Sequence, residues 1–147
     1  MGILRALVGY VAAVIAATLI GSILATQMVL AELAGAGAQV PMAMRLQTTL
    51  TDIQGFAPTY AVVAGVGFAI AFLIAFGLKR LLPALAPIAY PLAGAAAIAV
   101  ALLAMSVVYQ GTTPIAGARG PVGFALQCLA GALGGAVFAW IVKRRNA

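Results

Sequence analysis

Four long stretches of the chain are apolar almost without interruption, and the polar residues gather between them. The stretches cover residues 6–30, 58–78, 88–108 and 122–142, here called TM1 to TM4. Because a helix rises about 1.5 Å per residue, roughly 20 apolar residues cross the hydrocarbon core of a bilayer. The pattern therefore predicts an all-α integral membrane protein. Its four transmembrane helices would form two hairpins in a single domain of 147 residues.

The connections on one side of these helices are polar. Residues 31–57 form the longest connection, and within it residues 41–53 place apolar side chains at helical spacing. Pro41 suits the first turn of a helix. This predicts a short amphipathic helix that lies on the membrane surface or caps the bundle. A second loop on the same side covers residues 109–121, and a tail of residues 143–147 follows TM4.

Composition agrees with the membrane class, and the cations indicate an orientation. Charged residues make up 7% of the chain, whereas soluble domains contain about a quarter. The side with both termini carries Arg5, Lys79, Arg80, Lys143, Arg144 and Arg145, and the other side carries Arg45 and Arg119. Since Lys and Arg are enriched in cytoplasmic loops, we expect both termini in the cytoplasm, with the chain in a bacterial inner membrane. Cations scattered at helix ends do not form a nucleic-acid-binding face, so we expect no nucleic acid partner.

Small residues recur every four positions in two of the predicted helices. The most prominent are Gly9 and Gly21 in TM1, and Gly123, Gly131 and Gly135 in TM4. Such spacing lets helix backbones approach closely, and neighbouring hydroxyls can then bond across the contact. We interpret these glycines as a packing face, inside the bundle or against another protein. Because the chain is rich in Ala and Gly, chance is a competing explanation for this spacing. Separately, TM2 and TM4 resemble each other, which leaves open an origin of the chain by duplication of one helical hairpin.

Polar side chains at membrane depth are few. Gln27 lies near one end of TM1, and Gln127 lies about one turn into TM4. A polar group in hydrocarbon is costly and tends to turn inward. We therefore expect intramembrane hydrogen bonds between helices, with a short vestibule lined by both amides as the alternative.

Four charged residues form a candidate polar cluster in the two loops opposite the termini. They are Glu32, Arg45, Asp52 and Arg119. We expect an ion pair that ties the loops together, with Arg119 joined to Asp52 or Glu32. The alternatives are a contact with an anion, a lipid headgroup or a partner protein.

The chain offers little material for catalysis. It has no histidine, one cysteine (Cys128) and only two acids, Glu32 and Asp52. The absence of histidine excludes metal sites, haem sites and acid–base sites that depend on His. We expect no enzyme activity, no cofactor and no metal.

Two function classes then remain. The favoured one is a non-catalytic accessory or scaffold subunit that packs against other membrane helices, or against itself, through Gly/Ala faces. The alternative is a homo-oligomeric small channel or passive transporter. Proton-coupled transport would need an acid within a span, and both acids lie in the 31–57 connection.

Overall fold

The computed structural model describes residues 2–111 and 113–143, and nearly all of them are helical. The α-helices are α1 (Gly2–Gly35), α2 (Met42–Gly55), α3 (Ala57–Leu81), α4 (Ala89–Val108) and α5 (Pro121–Lys143), with single 3-10 turns at Pro83–Leu85 and Ala116–Ala118. Four of them, α1, α3, α4 and α5, are long and apolar enough to cross a membrane. The prediction of an all-α chain with four such helices is confirmed. Arg144 and Arg145 of the predicted basic tail lie outside the described residues.

The first helix is longer than the sequence pattern indicated. It has 34 residues and is about 50 Å long, against roughly 30 Å for a hydrocarbon core. Its ends, which carry Arg5 and Glu32, would therefore project beyond a core of that thickness. In α3 the cations Lys79 and Arg80 occupy the last turn, where they complement the negative end of the helix dipole.

The four long helices form a ring in the order α1, α5, α4, α3. The contacts of α5 with α1 and with α4 are the most extensive, and the α1–α3 contact is the lightest in the ring. We call the end with Arg5, Lys79, Arg80 and Lys143 the basic end, and the opposite end the α2 end. Aliphatic side chains cover the outward faces, as at Val62, which is 68% exposed.

Aromatic rings fill the core towards the basic end. The ring of Phe72 lies 4.5 Å from that of Phe138 and 4.9 Å from that of Phe68, measured between centroids. Tyr90 packs edge-on against Phe138 at 4.7 Å. These four side chains join α3, α4 and α5, and they are all buried.

Glycines allow α5 to lie very close to α4. A Cβ on Gly131 would overlap the carbonyl oxygen of Gly94, and a Cβ on Gly135 would overlap that of Tyr90. On the neighbouring face of α5, a Cβ on Gly134 would lie 2.9 Å from the Ala17 side chain of α1. Since only glycine lacks a Cβ, these positions determine how closely the three backbones approach.

The other glycines of the predicted packing face also lie against parts of the same chain. A Cβ on Gly9 would lie 3.3 Å from Phe138, and one on Gly21 would lie 2.7 Å from the Tyr60 hydroxyl. Gly123 faces the carbonyl of Gly117 in the loop before α5. The close contacts of this set are thus made within the bundle.

The short helix α2 turns its polar side towards the bundle. Arg45, Thr49 and Asp52 share one face of α2, and all three have their side chains close to α1 or bonded to it. On the adjoining face, Met42 and Leu46 are 70% and 61% exposed. A helix of a water-soluble protein has the reverse arrangement.

Candidate functional site

Three hydrogen bonds hold α2 against α1. Thr26 Oγ1 donates to Asp52 Oδ2 at 2.6 Å. The Gln27 amide donates through Nε2 to Thr49 Oγ1 at 3.1 Å and accepts at Oε1 from the Arg45 guanidinium at 2.9 Å. Two members of the predicted polar cluster, Arg45 and Asp52, therefore bond to α1. Gln27, expected at membrane depth, serves as the partner of α2.

The remaining two members of the cluster lie apart from these contacts. Arg119 Nε donates to the carbonyl oxygen of Thr113 at 3.1 Å, within its own loop. Glu32 is exposed, and its backbone carbonyl accepts from Ala36 N at 3.0 Å. Among the described residues, Arg119 forms no ion pair with Asp52 or Glu32.

Gln127 lies in the interior of the bundle, in the second turn of α5, and is fully buried. Its Oε1 accepts from the Tyr60 hydroxyl at 2.8 Å, and its Nε2 donates to the carbonyl of Gly21 at 3.0 Å. One side chain thereby connects α5, α3 and α1. The sequence gives no signal for the role of Tyr60, because nothing in a single chain shows which tyrosine will face a distant amide.

Three hydroxyl side chains form a column along the buried face of α1, here called the hydroxyl column: Thr18, Ser22 and Thr26. They are spaced four residues apart and therefore lie above one another on the helix. Thr26 Oγ1 contacts both Asp52 and the carbonyl of Ser22, the latter at 3.0 Å. The buried hydroxyls of Thr18 and Ser22 have no hydrogen-bond partner among the described residues.

A pocket of about 330 Å³ opens at the α2 end, and we call it the α2 pocket. Its walls come from α1, α2, the start of α3 and the loop of residues 114–117. Asp52, Thr26 and Thr48 supply its polar side chains, and Phe56 supplies an aromatic wall. The pocket therefore combines one carboxylate with hydroxyls and apolar surface.

A larger groove of about 700 Å³, the basic-end groove, runs between α1 and α3. Its lining is almost entirely apolar, and it includes the aromatic side chains of Phe72, Tyr90 and Phe138. Lys79 lies in the wall nearest the helix end, where its Nζ donates to the Tyr90 hydroxyl at 2.9 Å. The groove follows the lightest contact of the helix ring.

These features belong to a protein with four candidate membrane-spanning helices, which is the architecture of a multi-pass membrane protein. A scan against protein-family models, a search of curated proteins and a search of solved structures each found no match to the chain. Function therefore has to be inferred from the geometry of the two cavities and the buried polar contacts.

Proposed function

We propose that the four long helices span a bacterial inner membrane with both termini in the cytoplasm. The support is the aliphatic outer surface together with the basic end, where Arg5, Lys79, Arg80 and Lys143 lie. The only Lys or Arg residues that the sequence places at the other end are Arg45 and Arg119. A bias of this kind close to helix ends favours the basic end on the cytoplasmic side.

Within that membrane, we propose that the protein is a non-catalytic accessory or scaffold subunit that holds a transmembrane helix of a partner in the basic-end groove. The observation that carries this proposal is the groove itself, an apolar channel of about 700 Å³ between α1 and α3. The glycine face of α5 is occupied by α1 and α4 of the same chain. A partner would therefore dock at the light α1–α3 edge.

Small residues on both walls favour a helix as the occupant. Gly2 and Ala6 line the α1 wall one turn apart, and Ala69 lines the α3 wall. Small side chains let a second helix backbone approach closely. Within a bilayer the hydrophobic effect does not favour helix association, so the van der Waals contacts of closely packed helices drive it instead. The aromatic side chains at the floor of the groove add further atoms for van der Waals contact.

The proposal predicts that filling the groove releases the partner. Ala69→Trp puts a bulky side chain into the groove, whereas Ile70→Trp changes the adjacent residue, which is 58% exposed and lies outside the groove lining. After mild detergent extraction and affinity purification of the tagged chain, we expect a stoichiometric membrane-protein partner with wild type and Ile70→Trp. Ala69→Trp should recover at least tenfold less of it.

Photo-crosslinking from position 69 identifies the occupant directly. A crosslink to one defined transmembrane segment supports the proposal. Crosslinks to lipid alone, or equal partner recovery with both tryptophan variants, would rule it out.

The hydroxyl column favours a second candidate, a homo-oligomeric channel or passive transporter. Polar groups at membrane depth often face a bundle interior or a water-filled cavity. Deeper in the bundle Phe68 is fully buried, and a Cβ on Gly134 would lie 2.9 Å from both Phe68 and Ala17. Permeation would therefore require Phe68 to move. A pure homo-oligomer that conducts in planar bilayers, and conducts more as Phe68→Ala, would favour this candidate over the scaffold.

A further inference from the structure

We propose that the α2 pocket binds a small primary amine in its ammonium form, with Asp52 as the counter-ion. The pocket is at the opposite end of the bundle from the basic-end groove, so this inference stands independently of the scaffold proposal. The ligand class follows from the charge, the hydrogen-bonding groups and the size of the pocket.

The carboxylate of Asp52 is half-buried and only partly engaged. Its Oδ2 accepts from Thr26 Oγ1 at 2.6 Å, and the described residues provide no partner for its Oδ1. An ionised carboxylate has room for about four hydrogen bonds. Asp52 therefore retains acceptor sites on the wall of the pocket.

No cation among the described residues occupies those acceptor sites. The two cations at the α2 end bond elsewhere, Arg45 to Gln27 and Arg119 to the carbonyl of Thr113. Neither arginine lines the pocket. The pocket thus has a net negative charge, which favours a cation and opposes an anion.

The Thr26 hydroxyl can adjust when a ligand arrives. It has one proton and two acceptors within reach, Asp52 Oδ2 at 2.6 Å and the carbonyl of Ser22 at 3.0 Å. If an ammonium donates to Asp52, the hydroxyl can keep its proton on the Ser22 carbonyl. The exchange leaves no buried donor unsatisfied.

The other walls suit an organic cation better than a metal ion. Phe56, Val29 and Ile115 contribute apolar surface, and Thr48 contributes a hydroxyl. A hard cation such as Ca²⁺ takes six to eight oxygen ligands, more than one carboxylate and two hydroxyls supply. A primary ammonium has three donors for Asp52 and Thr48, its alkyl part can pack on the apolar walls, and the Phe56 ring can attract its charge.

Such an ammonium can come from a free amine or from the ethanolamine headgroup of a phospholipid. The experiment uses the purified protein in nanodiscs of phosphatidylcholine, which has no primary amine, and titrates n-butylammonium by calorimetry at neutral pH. We expect saturable binding of n-butylammonium at one site per chain. Neutral n-butanol and anionic butyrate should bind at least tenfold more weakly.

Matched variants locate the site. Asp52→Asn should weaken n-butylammonium binding at least tenfold, whereas Glu32→Gln, which removes the other acid of the chain, should leave it unchanged. Because Asp52→Asn also alters the contact with Thr26, Ala116→Phe serves as a second variant. It fills the pocket from the loop wall, leaves the Asp52–Thr26 pair in place, and should abolish binding.

A parallel titration in nanodiscs that contain phosphatidylethanolamine distinguishes the sources. Weaker apparent binding there identifies the lipid headgroup as a competitor for the same site, and unchanged binding identifies a free amine. Butanol binding as tight as the amine, or full binding by both Asp52→Asn and Ala116→Phe, would overturn the proposal.

Discussion

Single residues at the α4–α5 contact determine how closely those helices pack. Gly131 and Gly94 face each other, and a Cβ on either would overlap the carbonyl of the other. Gly77, by contrast, is an exposed helical glycine with nothing within 4 Å of a Cβ. Glycine thus occupies both a tightly packed position and an open one, and the spacing of glycines along the chain does not distinguish the two.

Gly131→Ala and Gly77→Ala should therefore differ in their effect on stability. We expect Gly131→Ala to destabilise the protein by about 1–3 kcal/mol through overpacking against backbone that cannot give way. Gly77→Ala should be neutral or stabilising by up to about 1 kcal/mol, because alanine favours the helix over glycine.

Reversible unfolding in mixed micelles, followed by far-UV circular dichroism, measures both free energies of unfolding. Equal effects of the two variants would contradict the close α4–α5 contact.

At the scale of one element, α2 shows that a sequence pattern can predict a helix without showing which of its faces packs against the rest of the protein. The spacing of Met42, Leu46 and Leu50 predicted an amphipathic helix, and α2 forms over Met42–Gly55. Periodicity alone does not say which face meets the bundle. Hydrogen bonds from Thr26 and Gln27 of α1 turn the face with Thr49 and Asp52 inward. The apolar side chains on the adjoining face are left exposed.

If the outward face of α2 lies in the membrane interface, cysteines on its two sides should differ in reactivity. In a Cys128→Ala background, Leu46→Cys is expected to react at least fivefold more slowly than Gln47→Cys with a membrane-impermeant maleimide. The reason is that residue 46 would be shielded by lipid, whereas exposed Gln47 lies beside it on a different face.

Labelling rates in sealed, right-side-out vesicles give the ratio, and the same variants in detergent provide the control. Equal rates in vesicles would show that the apolar face of α2 is not covered by lipid.

At the scale of the whole molecule, charge and hydropathy together predict topology. The basic end carries Arg5, Lys79, Arg80 and Lys143. We expect a C-terminal green fluorescent protein fusion to fluoresce and a C-terminal alkaline phosphatase fusion to be inactive, because the positive end stays in the cytoplasm.

An alkaline phosphatase inserted at Gly111, in the loop at the α2 end, should be active and supplies the control. The reverse pattern of the fusions would place the basic end outside the cytoplasm.

The sequence by itself determined the four long helices, because uninterrupted apolar runs of this length have few alternatives when every backbone polar group must be satisfied. It also located the short helix and the uneven distribution of cations. Those features depend on local composition and on the spacing of residues, and both can be read directly from one sequence.

Only the tertiary structure decided which side chains meet. The bond of Gln127 to Tyr60 joins residues 67 positions apart, and the α2 pocket combines Asp52 with Phe56 and the loop of residues 114–117. The sequence equally allowed Asp52 to pair with Arg119. Side-chain partners depend on the rotation and crossing of packed helices, and here close approach at Gly94, Gly131 and their neighbours sets both.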